Sequence, residues 1–172
     1  MEIRHNVYLV KFFLVSAVSF FIGTTHGVLQ VIPPIRHWLD SIGSPYGGPG
    51  HMIDPLAHAH INLVGGLVIM GMGVTFYLLS LLNQQKIYSQ RLANLAFWCT
   101  TLGVSGFYSL HMVFGIWEGF LLLSDSSAEM ARVHRYYGPI VSVVASVMAL
   151  GFYFYTINVV LTAKQIYRAC RQ

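Results

Sequence analysis

The sequence predicts an all-α integral membrane protein: a four-helix bundle with its N- and C-termini both on the cytoplasmic side. Three observations lead there. Of 172 residues, 55% are hydrophobic and only 9% are charged, with a mean hydropathy of +0.60, outside the range of ordinary water-soluble domains. Four apolar runs, at 7–32, 58–82, 92–123 and 136–161, each reach the roughly 20 residues that a helix needs to cross the hydrocarbon core of a bilayer. The cations divide unevenly between the two sides these spans define. Arg4, Lys11, Lys86, Arg91, Lys164, Arg168 and Arg171 fall on one side, against Arg36, Arg132 and Arg135 on the other. Seven against three places the first group in the cytoplasm by the positive-inside rule. The expected location is the inner, plasma membrane, as a single multi-pass domain.

The first run is too long for the roughly 7 to 15 apolar residues of a signal peptide, and Pro33-Pro34 follows it in place of a small-residue cleavage site. It is expected to be a retained span. On it, His26 shares a small and polar stripe with Ser19, Gly23 and Gln30, which points it inward.

Residues 33–57 read as the longest loop, on the outer side, because Ile42 to Pro55 is rich in glycine and proline. Such a loop suits the cap of a site.

On the second span His58 and His60 are two residues apart and project about 200° from one another. The His58 stripe continues through Asn62, Gly65, Ile69, Met72 and Phe76, and the His60 stripe through Val64, Leu67 and Gly71. Small and polar residues face helices or cofactors in lipid, so His58 is expected inward, while His60 serves a neighbour or a second site. Asn83 to Arg91 is a short polar inner loop.

The third span carries His111 and Glu118 on one face with Tyr108 and Gly115, and two ionisable groups require that face to be buried. Residues 124–134 read as a polar outer turn with a helical start near Ser126. His134 then stands at the mouth of the fourth span, above the small residues Gly138, Ala145 and Ala149. Depth along the spans leads us to expect His26 and His111 to meet across the bundle.

Six of the eight histidines (His26, His51, His58, His60, His111 and His134) thus gather toward one end of the spans. Histidine is expensive in lipid, so the set is expected to bind something, and haem suits it better than zinc or copper. Haem takes axial imidazoles from separate helices, whereas His51, Asp54, His58 and His60 lack the close, regular spacing of a metal cluster. Arg36, Arg132 and Arg135 are candidates for pairing with the propionates. No C-x-x-C-H occurs, which excludes c-type haem attachment, and Cys99 and Cys170 both fall toward the cytoplasmic side. The pI of about 9.2 follows from topology, and no nucleic acid partner is expected.

The segment Asp54 to Tyr77 (DPLAHAHINLVGGLVIMGMGVTFY) resembles the second helix of subunit I in the haem-copper oxidase superfamily, most nearly the C-type oxidases and nitric-oxide reductases. The resemblance rests on Pro55, on His58 or His60, on Asn62, Leu63 and Gly65, and on the aromatic pair Phe76-Tyr77. The segment Phe152 to Thr162 (FYFYTINVVLT) looks like a helix terminus of the same superfamily. The resemblance implies a low-spin haem b near the outer face, ligated by the second-span histidine. The other axial ligand would come from His26, His111, His134 or another subunit.

The superfamily's catalytic metal site needs further histidine-bearing helices, so oxygen or nitric-oxide reduction by this chain alone is not expected. The expectation is therefore a b-type cytochrome subunit holding one haem b, or two. Any two of His26, His58, His60 and His111 would sit on iron, the redox partner would be a quinol or a cytochrome, and the chain would work as a homo-oligomer or within a larger complex. The alternatives are a cofactor-free accessory or assembly subunit and a metal-binding membrane protein.

Overall fold

A computed structural model describes residues 7–84 and 86–171, and all its regular structure is helical. A short tight turn at Val7–Leu9 leads into α1 (Val10–Gln30); α2 is Pro33–Ser41, α3 runs over Gly48–Leu82, α4 is Gln90–Leu123 and α5 is Ser127–Ala169. All but α2 are long and apolar enough to cross a membrane. Large apolar side chains such as Val18, Phe21, Leu63, Leu102 and Val143 are exposed, while Ser16, Thr100, Asn158 and Thr162 are buried. This departs from the ordinary distribution, in which large apolar side chains are mostly inside.

The expected loop at 33–57 is mostly helix. Pro33 and Pro34 open α2 at its first turn, where proline's missing N–H costs nothing. Helical structure resumes at Gly48, well before His58. Between the two lies a tight reversal in which Gly43 and Gly48 take φ of +96° and +60°, values that favour glycine. The one interruption in α3 is Asp54, with extended angles (φ −131°, ψ 112°), as suits a residue preceding proline. Arg36 straps α2 to this break. Its guanidinium donates to Asp40 Oδ1 at 2.6 and 2.9 Å, to Asp54 Oδ2 at 2.8 Å and to Ser44 Oγ at 2.8 Å. The hydrogen bonds it donates to Asp40 and then to Asp54 hold the guanidinium pKa above its ordinary value.

The fourth long helix starts at Ser127, as the helical start expected near Ser126 implied, and runs unbroken into the apolar stretch at 136–161 and through Pro139. Gly138 lets it do so, since the clash that keeps most residues out of helix before a proline involves Cβ.

Two seams hold the bundle. Along α1–α3 the backbones approach at glycines: a Cβ on Gly65 would lie 2.7 Å from Ser19 Oγ, and one on Gly66 would lie 2.5 Å from the Phe20 ring. Ser16 Oγ donates to the Gly66 carbonyl at 2.7 Å across the same seam. Along α4–α5, Gly103 faces the backbone of Met148, and Gly151 faces Thr100. The α3–α4 connection is clamped to α5 by buried Asn158, which accepts from Ser89 N at 3.1 Å and donates to Ser89 O at 2.9 Å. The main core (Phe12, Ile69, Met72, Phe76, Phe97) contains none of the histidines. A smaller core of Leu39, Ile42 and Ile53 lies beneath α2.

Candidate functional site

The histidine-rich end of the bundle lies near α2, and α4 divides its histidines into two groups. On the side facing α1, His26 is 7% exposed. Its ring lies 5.5 Å from that of His58 with planes at 85°, and 5.8 Å from that of Tyr108. Glycine makes this contact possible, because a Cβ on Gly27 would fall 2.8 Å from His58 Cε1. Asn62 Nδ2 donates to the His58 carbonyl at 2.9 Å.

On the other side the rings of His60 and His111 flank Phe107, at 4.2 and 4.0 Å. His60 Nδ1 donates to Leu56 O at 2.9 Å, leaving Nε2 as the lone-pair nitrogen. His111 is fully engaged: Nδ1 donates to Phe107 O at 2.8 Å, and Nε2 accepts from Tyr137 Oη at 2.9 Å. His134 Nδ1 lies 3.1 Å from both oxygens of Glu118, a carboxylate only 3% exposed. The expected meeting of His26 with His111 does not occur. Successive residues of a helix point about 100° apart, so Tyr108 faces His26 while Phe107 and His111 face the α5 side.

The remaining candidates are placed as follows. Arg36 is committed to Asp40, Asp54 and Ser44, and Arg132 and Arg135 are exposed on the first turns of α5. The outer cluster around His51 is dispersed, with His51 Nδ1 on Pro45 O and Asp54 on Arg36. Among the described residues no three His, Cys, Asp or Glu side chains converge as a metal ion would require.

A second feature lies beside His26. α1 packs chiefly on α3. It meets α4 at its inner end, where Lys11 Nζ donates to Asn94 Oδ1 and the Phe12 ring lies 4.9 Å from that of Phe97. Outward of that contact the space between α1 and α4 holds a crevice of three successive cavities. The deepest, about 270 Å³, is lined by Ser19, Ile22, Ile61 and Thr101. The next, about 220 Å³, is lined by Thr25, His26, Tyr108 and Met112. The last, about 410 Å³ and under α2, is lined by His26, Gln30, Trp38, Ile53 and Phe120.

Buried polar atoms in native proteins nearly always find partners. Among the described residues three buried side-chain atoms have none, His26 Nδ1, Gln30 Oε1 and Thr101 Oγ1, and each belongs to a residue lining this crevice. Sequence periodicity places His26 and Gln30 on one stripe. The crevice itself left no signal there, because it arises where two helices diverge, which no pattern within one helix encodes.

The donor chemistry fits a haem at His26 and His58, which keep nitrogens free of strong internal bonds, and at His60 through Nε2. It does not fit at His111, which has no nitrogen to give, and Arg36 spends all but one of its N–H donors on Asp40, Asp54 and Ser44. Comparison of the chain with protein-family models, with curated proteins and with solved structures returned no match.

Proposed function

We propose that this chain is a b-type cytochrome subunit of the inner membrane, oriented with both termini in the cytoplasm and its histidines toward the outer face. The reading rests chiefly on His26 and His58. They come from separate helices, with rings 5.5 Å apart and planes at 85°, beside an apolar crevice. These two would hold haem b through their imidazoles, and the haem would supply one-electron transfer between a quinol or cytochrome partner and a further subunit. The resemblance of the Asp54 to Tyr77 segment to subunit I of the haem-copper oxidases supports the same reading.

The chain's own residues set the conditions. Gly23 and Gly27 keep α1 close to α3 so that both imidazoles stand at one level. Tyr108 walls the side toward α4, and apolar Leu29, Met112 and Ile116 exclude water.

A reduced-minus-oxidised spectrum of the chain purified from haem-replete cells tests the proposal. A b-type difference band is expected that His26→Ala and His58→Ala each abolish and His111→Ala preserves. Absence of any such band in the wild-type chain would sink it.

One observation favours a second reading, a cofactor-free accessory subunit. His60, His111 and His134 all spend hydrogen bonds inside the chain, as purely structural histidines do. That reading requires the histidine variants to assemble normally and the wild-type spectrum to be blank.

A further inference from the structure

We infer that the α1–α4 crevice is a binding site for a membrane-dissolved quinol, with the ring head under α2 between His26 and Gln30 and the apolar tail running along the crevice toward Thr101. It deepens the cytochrome reading by naming the lipid that meets the haem-bearing end, and rests on that reading only for the purpose of the binding.

Position carries the inference first. A crevice where two apolar helices part from one another is open sideways, to whatever solvates those helices, and its walls are almost wholly apolar. A lipid chain can therefore enter it, whereas a polar solute gains nothing by doing so.

Chemistry narrows the ligand. His26 is more than nine-tenths buried, and its Nδ1 has no partner. One helical turn away, Gln30 Oε1 is also buried and unpartnered, and both residues line the cavity of about 410 Å³. Leaving such atoms unpaired is costly, so the cavity wants a ligand that pairs with both. Gln30 Oε1 is an acceptor and needs a hydroxyl or N–H to donate to it. The imidazole nitrogen takes either role according to its tautomer.

A hydrocarbon offers neither contact, and an oxidised quinone offers only acceptors. A quinol donates one hydroxyl to Gln30 Oε1 and places its other oxygen against His26 Nδ1. Trp38 and Phe120, whose rings lie 5.8 Å apart at the mouth, supply aromatic surface for a flat ring.

Trp38 also supplies the readout. In the full chain carrying Trp98→Phe and Trp117→Phe, titration with decylubiquinone should quench Trp38 fluorescence saturably, and decylubiquinol should relieve the quenching in competition, with a Kd below that of the quinone. His26→Leu and Gln30→Leu should each weaken quinol binding about fivefold, the worth of one net hydrogen bond, and His26→Gln should restore part of it.

Should a leucine variant fail to fold, the unsubstituted site still decides. The dimethyl ether of decylubiquinol, whose hydroxyls are capped, should compete at least about fivefold less well, and a headless alkane should compete less well again. Non-saturating quenching, or equal competition by quinol, ether and alkane, overturns the proposal. A chain that binds quinol but shows no haem band removes the cytochrome reading and leaves this site standing. The reverse result does the opposite.

Discussion

Tyr137 shows how much of this site depends on single polar contacts. Its hydroxyl donates to His111 Nε2 at 2.9 Å, and His111 is 1% exposed. Tyr137→Phe leaves that nitrogen buried without a donor, and an orphaned acceptor costs about 1–3 kcal/mol. The substitution should lower the thermal midpoint of unfolding in detergent, followed by circular dichroism. Coupling with His111→Leu should be strongly non-additive, since removing both partners leaves no orphan. Additive effects would show that the bond carries no weight. The sequence marked His111 as buried, because Glu118 shares its face, but not its partner. Tyr137 reaches it from another helix, and no periodicity within one helix encodes that. Arg36 was half legible in the same sense. Asp40, four residues on, is the ordinary helical partner, whereas Asp54 arrives only through the fold of the 42–54 segment and takes the guanidinium away from any propionate.

At the level of elements the two glycine seams differ in how firmly they are set. A Cβ on Gly151 would lie 2.2 Å from Thr100 Oγ1 and 2.7 Å from the Thr100 backbone nitrogen, so α4 and α5 would have to separate. Gly151→Ala is expected to destabilise by about 1–3 kcal/mol through overpacking. Gly71→Ala, with nothing within 4 Å, should be neutral or stabilise by about 0.5–1 kcal/mol through the better helix propensity of alanine. Thermal unfolding of both variants checks the contrast, and equal effects would refute the seam. The long apolar runs made all four large helices legible in advance. Their ends were less so, because Gly and Pro between 42 and 55 read as loop while tertiary contacts from Arg36 and Leu39 hold the segment as α2, a tight reversal and the start of α3. The His58 stripe behaved as its small and apolar residues implied, with Gly65, Ile69, Met72 and Phe76 all buried.

For the whole molecule, orientation is the property most open to direct test. Cys170 is exposed at the end of α5 and Cys99 is partly buried in α4. Under the proposed topology, a membrane-impermeant maleimide should label Cys170 in inverted membrane vesicles and spare it in intact spheroplasts. Labelling from the outside would reverse the topology and put the histidines near the cytoplasmic face. The architecture has a mechanical corollary as well. α4 and α5 form one closely packed pair, with α3 against α4, while α1 rests chiefly on α3 and meets α4 at its inner end through Phe12 and Phe97. α1 is therefore a door hinged along α3 and latched to α4 at one end, and the gap beyond the latch is the crevice. Ser19, Phe20, Gly65 and Gly66 set how far that door stands ajar. Three of these, Phe20, Gly65 and Gly66, lie outside the crevice walls, so access to it is governed by residues that no bound molecule would touch.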